Sequence, residues 1–220
     1  MITIFSYNRQ LMLLNLVREL RKKLPDERIV VIDDGSDFDP ILFAHICEFH
    51  RLVHKGKEQW WKNWQYAFDI CKESDDDFFA FMPDDWWDIW VDDIMQIHKD
   101  ASGAYAFNFY NNDMKQSWTK MQEKQVDLFH VEATECGFVD CGYFCNRETL
   151  EAINFTQPPI SMMNFYKWNA SSGVGRTQTH EFEKNDVKMY RPKVSLIWTE
   201  QHRSVMHPIE RKINPNLPIR

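Results

Sequence analysis

The chain has 220 residues, of which 44 % are apolar, 15 % aromatic and 27 % charged. A disordered or collagen-like chain is excluded, and one compact domain with its own core is expected. The net charge of −7 is uneven: residues 1–166 hold 28 acids against 16 bases, and residues 167–220 hold 10 bases against 5 acids. That asymmetry suits a metal-binding first part and an anion-facing tail. No run approaches the roughly 20 apolar residues of a membrane span, and no basic leader with an apolar stretch opens the sequence. The five cysteines (47, 71, 136, 141, 145) are sparse and odd in number, which suits a reduced, cytoplasmic chain.

In chain order, Ile2-Thr3-Ile4-Phe5 reads as a buried strand ended by Ser6-Tyr7-Asn8-Arg9. Leu11, Leu14, Val17, Leu20 and Leu24 recur at helical spacing up to the stop at Pro25. Residues 28–32 form a second strand, ended by Asp33-Asp34-Gly35-Ser36. Residues 40–50 read as a helix entered at Pro40, and Leu52-Val53-His54 as a short strand. Positions 60, 64, 67, 68 and 71 mark a helix over 59–71. Residues 78–82 form a third strong strand, ended by Pro83-Asp84-Asp85 and followed by a tryptophan-rich helix with Trp86, Trp87 and Trp90. Beyond it, strands are expected at 104–110, 137–145 and 194–198, and helices at 147–153 and 178–185. Residues 206–220 read as an extended arm.

Alternating strands and helices with acids at the strand ends predict a parallel α/β sheet, which binds ligands beyond the carboxyl ends of its strands. Tyr7-Asn8-Arg9, Asp33-Asp34 and Asp84-Asp85 then fall on one edge. Paired carboxylates offer hard oxygens to Mg²⁺ or Mn²⁺, although an aspartate after a strand also serves as a helix cap. Asp33-Asp34 suits hydrogen bonding to a base or ribose, or simply a turn. Tryptophans beside such a site can stack on a sugar or base, or belong to the core. Cys136, Cys141 and Cys145 with His130 lack the tight pairs of structural zinc and read as buried free thiols.

Four segments in order resemble the GT-A-fold glycosyltransferases of the family 2 type. They are Ile4-Phe5-Ser6-Tyr7-Asn8-Arg9, Val31-Ile32-Asp33-Asp34-Gly35-Ser36, Gly56 with Lys62-Asn63 and Ala67, and Phe81-Met82-Pro83-Asp84-Asp85. The likeness covers residues 1–90 and is loose past residue 100. It departs at the metal motif, where Met82 or Pro83 replaces the first acid. The resemblance implies an α/β fold, a single domain with a mostly parallel, Rossmann-like central sheet flanked by helices. Residues 1–112 would be its donor and metal part, 113–205 its acceptor side and 206–220 its arm. It implies a metal-dependent, inverting transfer of a sugar from a nucleotide diphosphate donor to an acceptor hydroxyl, with Mn²⁺ or Mg²⁺ as cofactor. Tyr7, Arg9, Asp33, Asp34, Lys62, Asn63 and Asp84 would hold the donor. Asp85, with Asp84 beside it, would hold the metal, and His202 would be its third ligand, with His207 next.

Arg176, Arg203 and Lys193 are candidates to meet the diphosphate or an anionic acceptor. The catalytic base is Asp140 or Glu181, each also readable as an ordinary surface acid. Trp86 and Trp87 are placed with the acceptor, a glycan or small molecule. A hydroxymethylated base of bacteriophage DNA is a second acceptor class, drawn from the basic tail and the tryptophans and opposed by the negative net charge. A third reading is a catalytically degenerate module that binds a nucleotide or glycan.

Overall fold

The computed structural model describes residues 1–53, 59–109, 111, 124–126, 131–137, 142–153 and 172–199. Its strands are β1 (Ile2–Ser6), β2 (Ile29–Asp33), β3 (Glu48–Arg51), β4 (Phe78–Pro83), β5 (Trp86–Trp87), β6 (Tyr105–Asn108), β7 (Lys124–Val126), β8 (Ala133–Glu135), β9 (Tyr143–Asn146), β10 (Lys188–Pro192) and β11 (Trp198–Thr199). Its helices are α1 (Gln10–Lys23), α2 (Trp61–Glu73), α3 (Val91–Asp100), α4 (Arg147–Ala152) and α5 (Ser172–Lys184). Nine strands form one sheet in the order β3-β2-β1-β4-β9-β6-β10-β8-β7.

β1 pairs parallel with β2 and β4, β2 with β3, and β6 with β10. β9 lies antiparallel between β4 and β6, so β6 and β10 point the same way as β1. Of this sheet only β8 and β9 run against the rest. The expected mostly parallel α/β domain is what the chain forms. β9, from residues 143–146, sits in the middle of the sheet, so the earlier and later parts of the chain share one core.

Strand alternation divides that core into two layers. Ile2, Ile4, Val31, Ala80, Met82 and Phe144 face α1 and α3, meeting Leu13, Leu16, Val17, Leu20, Ile94 and Ile97. Phe5, Val30, Ile32, Phe81, Tyr143 and Cys145 face the other way, against Trp64, Ala67 and Phe68 of α2, Leu150 of α4, and Val174 and Phe182 of α5. The period-two pattern of buried strands thus meets helical stripes on both faces. Because α2 and α5 lead into parallel strands, each begins at the carboxyl edge of the sheet.

Several boundaries differ from expectation. Residues 40–43 make only a short 3₁₀ turn, with the Asp39 carboxylate accepting from the Ile41 N–H, and the next strand is Glu48–Arg51 rather than 52–54. Trp86 and Trp87 form a two-residue strand on Trp198–Thr199 instead of opening a helix, and α3 starts at Val91. The expected strand at 194–198 is not formed as such: β10 ends before it, at Pro192, and β11 takes only Trp198–Thr199. Leu196 then hydrogen-bonds across to Phe109 and Trp90 rather than to a ladder. α5 starts at Ser172, six residues before its expected start at 178, so Gly173 to Arg176 are helical rather than a loop. Among the described residues no helix is long and apolar enough to cross a membrane. Cys47, Cys71, Cys136 and Cys145 are free thiols, as expected, and burial pushes Cys71 up to about 12. Cys141, His130 and the 206–220 arm lie outside the described residues.

Candidate functional site

The ends of β1, β2 and β4 meet at one edge, as the sequence pattern predicts. β1 hands its chain to a loop in which Asn8 adopts φ of 53°, a left-handed conformation that asparagine tolerates. The Asn8 N–H donates to the Ser36 hydroxyl at 2.7 Å, and its side-chain oxygen accepts from the Asp37 N–H at 2.9 Å. Two loops from neighbouring strands are therefore stapled together. Gly35, at φ of 80°, makes the second loop's tight turn.

Asp33 and Asp34 are both buried, but the turn uses Asp33 itself. Its Oδ2 accepts from the Ser36 N–H at 3.0 Å and from Arg51 Nε at 2.9 Å, while its Oδ1 accepts from the Ser36 hydroxyl. Asp34 follows at the strand's end, its N–H donating to the Ser6 carbonyl at 2.9 Å.

Asp84 and Asp85 lie opposite, at the end of β4. Ser6 Oγ donates to Asp84 Oδ2 at 2.8 Å. Arg9 Nη1 bridges the two carboxylates, 2.9 Å from Asp84 Oδ1 and 3.1 Å from Asp85 Oδ2. Burial pushes the Asp84 carboxyl up to about 6, aided by the Asp85 charge and opposed by Arg9 and Ser6. Burial also works against the charge on Arg9, but the two aspartates overcome it and raise Arg9 above its ordinary value. One guanidinium thus compensates two acids that would otherwise repel each other out of water.

The donor set fits a hard divalent ion, since two carboxylates converge at a polar strand end. Asp84 meets Ser6 and Arg9, and Asp85 shares the same Arg9, so a metal would join a carboxylate pair already tied to one guanidinium. Among the described residues no group of three or more histidine, cysteine, aspartate or glutamate side chains joins them. The β5–β11 pairing matters here: Thr199 is the register partner of Trp86, the residue after Asp85. Thr199, the last described residue before His202, therefore lies beside the residue that follows the acid pair. His202 and His207 themselves, like Arg203 and Asp140, lie outside the described residues.

The other predicted residues divide. Tyr7 is half-buried in the stapled loop and Arg176 half-buried in the second turn of α5. Asn63 is fully buried on the inner face of α2. Lys62 points away from it, donating to Gln59 at 2.7 Å and lying 5.7 Å from the Trp61 ring, so the two neighbours do not act as one unit. Trp86 is a core residue rather than an exposed acceptor platform. Its ring packs edge-on to Phe109 at 5.3 Å, and a Cβ added at Gly142 would fall 1.8 Å from one of its carbons. Of Trp87 only the backbone is described. Glu181 sits in the last turns of α5, which end beside the start of β6 on the opposite edge of the sheet. It is removed from the acid pair, because the helix begins earlier than its sequence suggests. Lys193 pairs with Glu132. Sequence reasoning missed Ser6, Asn8, Ser36 and Arg51 as builders of the site. Their signal was weak, being single polar residues within motifs already assigned to their neighbours.

No family model and no curated protein matches the sequence. Solved structures do match. Over 93 % of its length the chain superposes on 68 % of a mycobacterial protein, with a TM-score of 0.56 and 11 % identity. Over 91 % it superposes on 71 % of glucosyl-3-phosphoglycerate synthase from Mycobacterium tuberculosis, solved with phosphoglyceric acid, with a TM-score of 0.55 and 10 % identity. The chain has the GT-A fold. At such low identity the likeness establishes the architecture, and any activity must be argued from the residues at the strand edge.

Proposed function

We propose that this GT-A domain is a glycosyltransferase that moves a sugar from a nucleotide diphosphate donor to an acceptor hydroxyl. The observation that carries the reading is the Arg9–Asp84–Asp85 cluster facing Asp34 across the carboxyl edge, in a fold shared with a glucosyl-3-phosphoglycerate synthase. Open α/β sheets bind nucleotides at this edge. Asp33 or Asp34, both buried at the end of β2, would hold the base or ribose. Tyr7 lines the nucleotide pocket.

Asp85, with Asp84 beside it, would hold Mn²⁺ or Mg²⁺, and His202 is proposed as the third ligand on the strength of the β5–β11 pairing. A bound divalent ion neutralises charge growing on the departing diphosphate. Arg9 and Arg176 do the same from the protein side, as fixed cations that need no reorganisation. Ser6 and Arg9 keep Asp84 oriented and ionised against its burial. Inversion requires a carboxylate base on the face opposite the leaving group. With Glu181 on the far edge, Asp140 is the proposed base.

The test follows nucleotide release from a panel of nucleotide sugars, with and without Mn²⁺, for the wild type and Asp85→Ala. Metal-dependent release from one donor, lost in the variant, is the expected result. Absence of release together with absence of nucleotide-sugar binding by calorimetry would overturn the reading and leave a non-catalytic module.

A further inference from the structure

Three buried side chains have no role in the charged network. Among the described residues, the Asn63 amide, the Gln178 amide and the Tyr143 hydroxyl have no hydrogen-bond partner on any of these polar atoms. Each residue is no more than 1 % exposed. Native proteins rarely bury such groups unmatched, and the exceptions call for a bound water, ion or ligand.

The three stand on elements that meet. Trp64, next to Asn63 on α2, stacks on the Tyr143 ring at 6.2 Å and 11°. Phe182, one turn after Gln178 on α5, meets the same ring edge-on at 5.5 Å. Val174, Gln178 and Phe182 recur every four residues, and the outer two belong to the apolar layer beneath. Gln178 is therefore a polar residue set into a core-facing stripe, where leucine would be the ordinary choice. Asn63 lies near the start of α2, and Tyr143 opens β9 opposite Phe81, close to the end of β4. Both positions belong to the carboxyl edge that carries Asp84 and Asp85.

The chemistry of the set is specific. Each amide both donates and accepts, and so does the phenol. None of the three is charged, which suits neutral hydroxyls and not phosphate, whose recognition calls for cations. We propose that Gln178, Asn63 and Tyr143 form a binding site for the hydroxyls of a neutral sugar ring. The inference rests on the nucleotide-sugar reading and assigns the residues that read the sugar itself. Because the three are sealed from solvent, binding includes a local opening between α2 and α5. The ring belongs either to the donor's transferred sugar or to a sugar-bearing acceptor.

Calorimetry on the full chain with Mn²⁺ tests this, comparing UDP with UDP-glucose, GDP with GDP-mannose, and free glucose or mannose added to the nucleotide-bound protein. The expected result is a sugar-dependent gain of about tenfold in affinity, erased in Gln178→Leu while bare nucleotide binding is unchanged. A gain seen with the nucleotide sugars assigns the site to the donor, and one seen only with the free monosaccharides assigns it to the acceptor. Thermal unfolding gives a second readout: Gln178→Leu is expected to melt higher, because it removes an unmatched amide from an apolar stripe. Gln178→Glu, which keeps the shape and adds charge, serves if the leucine variant does not fold, and is expected to lose the same gain. A sugar-dependent gain that survives in the variants, or the absence of any gain in the wild type, overturns the inference while leaving the nucleotide reading intact. Loss of all binding, bare nucleotides included, in the wild type overturns both.

Discussion

Two sets of polar side chains are buried in this domain, on opposite terms. The acidic one is charged and carries its own counter-charge: Asp84 has a partner on each oxygen, Arg9 spans both carboxylates, and Asp33 is held by Ser36 and Arg51. The neutral one is open: Asn63, Gln178 and Tyr143 are equally buried, and none has a hydrogen-bond partner among the described residues. An unmatched buried polar group costs about 1–3 kcal/mol, and an uncompensated buried charge costs more. A fold can therefore leave amides waiting for a ligand, whereas it must supply its own counter-charge to carboxylates. Arg9 plays that part here.

The largest effect that separates the clusters is catalytic. Asp85→Ala is expected to lower donor turnover by about 10²–10³-fold, the usual scale for removing one electrostatic contributor to a transition state. Its fold should persist, because Asp84 keeps both Ser6 and Arg9. Steady-state nucleotide release beside a circular dichroism spectrum decides between loss of chemistry and loss of structure. Arg9→Ala should do the reverse. It leaves two buried acids facing each other and is expected to cost about 3–5 kcal/mol of stability, read by urea denaturation. An Arg9→Ala protein as stable as the wild type would show that the acidic cluster is not compensated by its guanidinium.

The charged cluster was the legible one in sequence. Its members end apolar runs, so Arg9, Asp34, Asp84 and Asp85 could be placed on one edge from strand pattern alone. The neutral cluster was not. Gln178 reads as the start of a helix when that helix is taken to open at 178, and its place in the stripe Val174–Gln178–Phe182 appears only once α5 starts at Ser172. Tyr143 gives no local signal, because its neighbours come from α2 and α5, far away in sequence. Trp86 misled for the same reason. Tryptophan beside a polar motif suggests a stacking platform, but its burial is decided by Phe109, Gly142 and the distant β11.

That last packing offers a control lying between the two clusters in space and outside both in chemistry. Gly142→Ala would drive a methyl group to 1.8 Å from a Trp86 ring carbon, so either the ring or the β9 entry must shift. Overpacking of this kind costs typically about 1–3 kcal/mol. Thermal unfolding should register it, and because Trp86 follows Asp85 directly, metal-dependent turnover should fall with it. Unchanged stability would mean that β9 enters the sheet more loosely than its pairing to Phe81 suggests.

The smallest effect is a pH dependence, and it tests whether the acidic cluster is under strain. Burial, the Asp85 charge included, holds Asp84 at about 6 against an ordinary 3.8. The folded state therefore binds its proton where the unfolded chain has released it. Between pH 7 and pH 5 stability should rise as pH falls, by about 1 kcal/mol from this group, and the gain should level off once pH drops below the unfolded value. His98 works in the opposite sense: burial lowers its pKa, so acidification through about 6.5 favours the unfolded chain. The two contributions separate in the difference between wild type and Asp84→Asn, from which His98 cancels. That difference, followed by denaturant midpoints without added metal, should widen in favour of the wild type as pH falls from 7 to 5. Saturating Mn²⁺ over the same pH range should flatten it, because a cation beside the carboxylate favours its ionised form. A difference that does not move with pH would place the Asp84 proton outside this window and show that Arg9 compensates both acids in full.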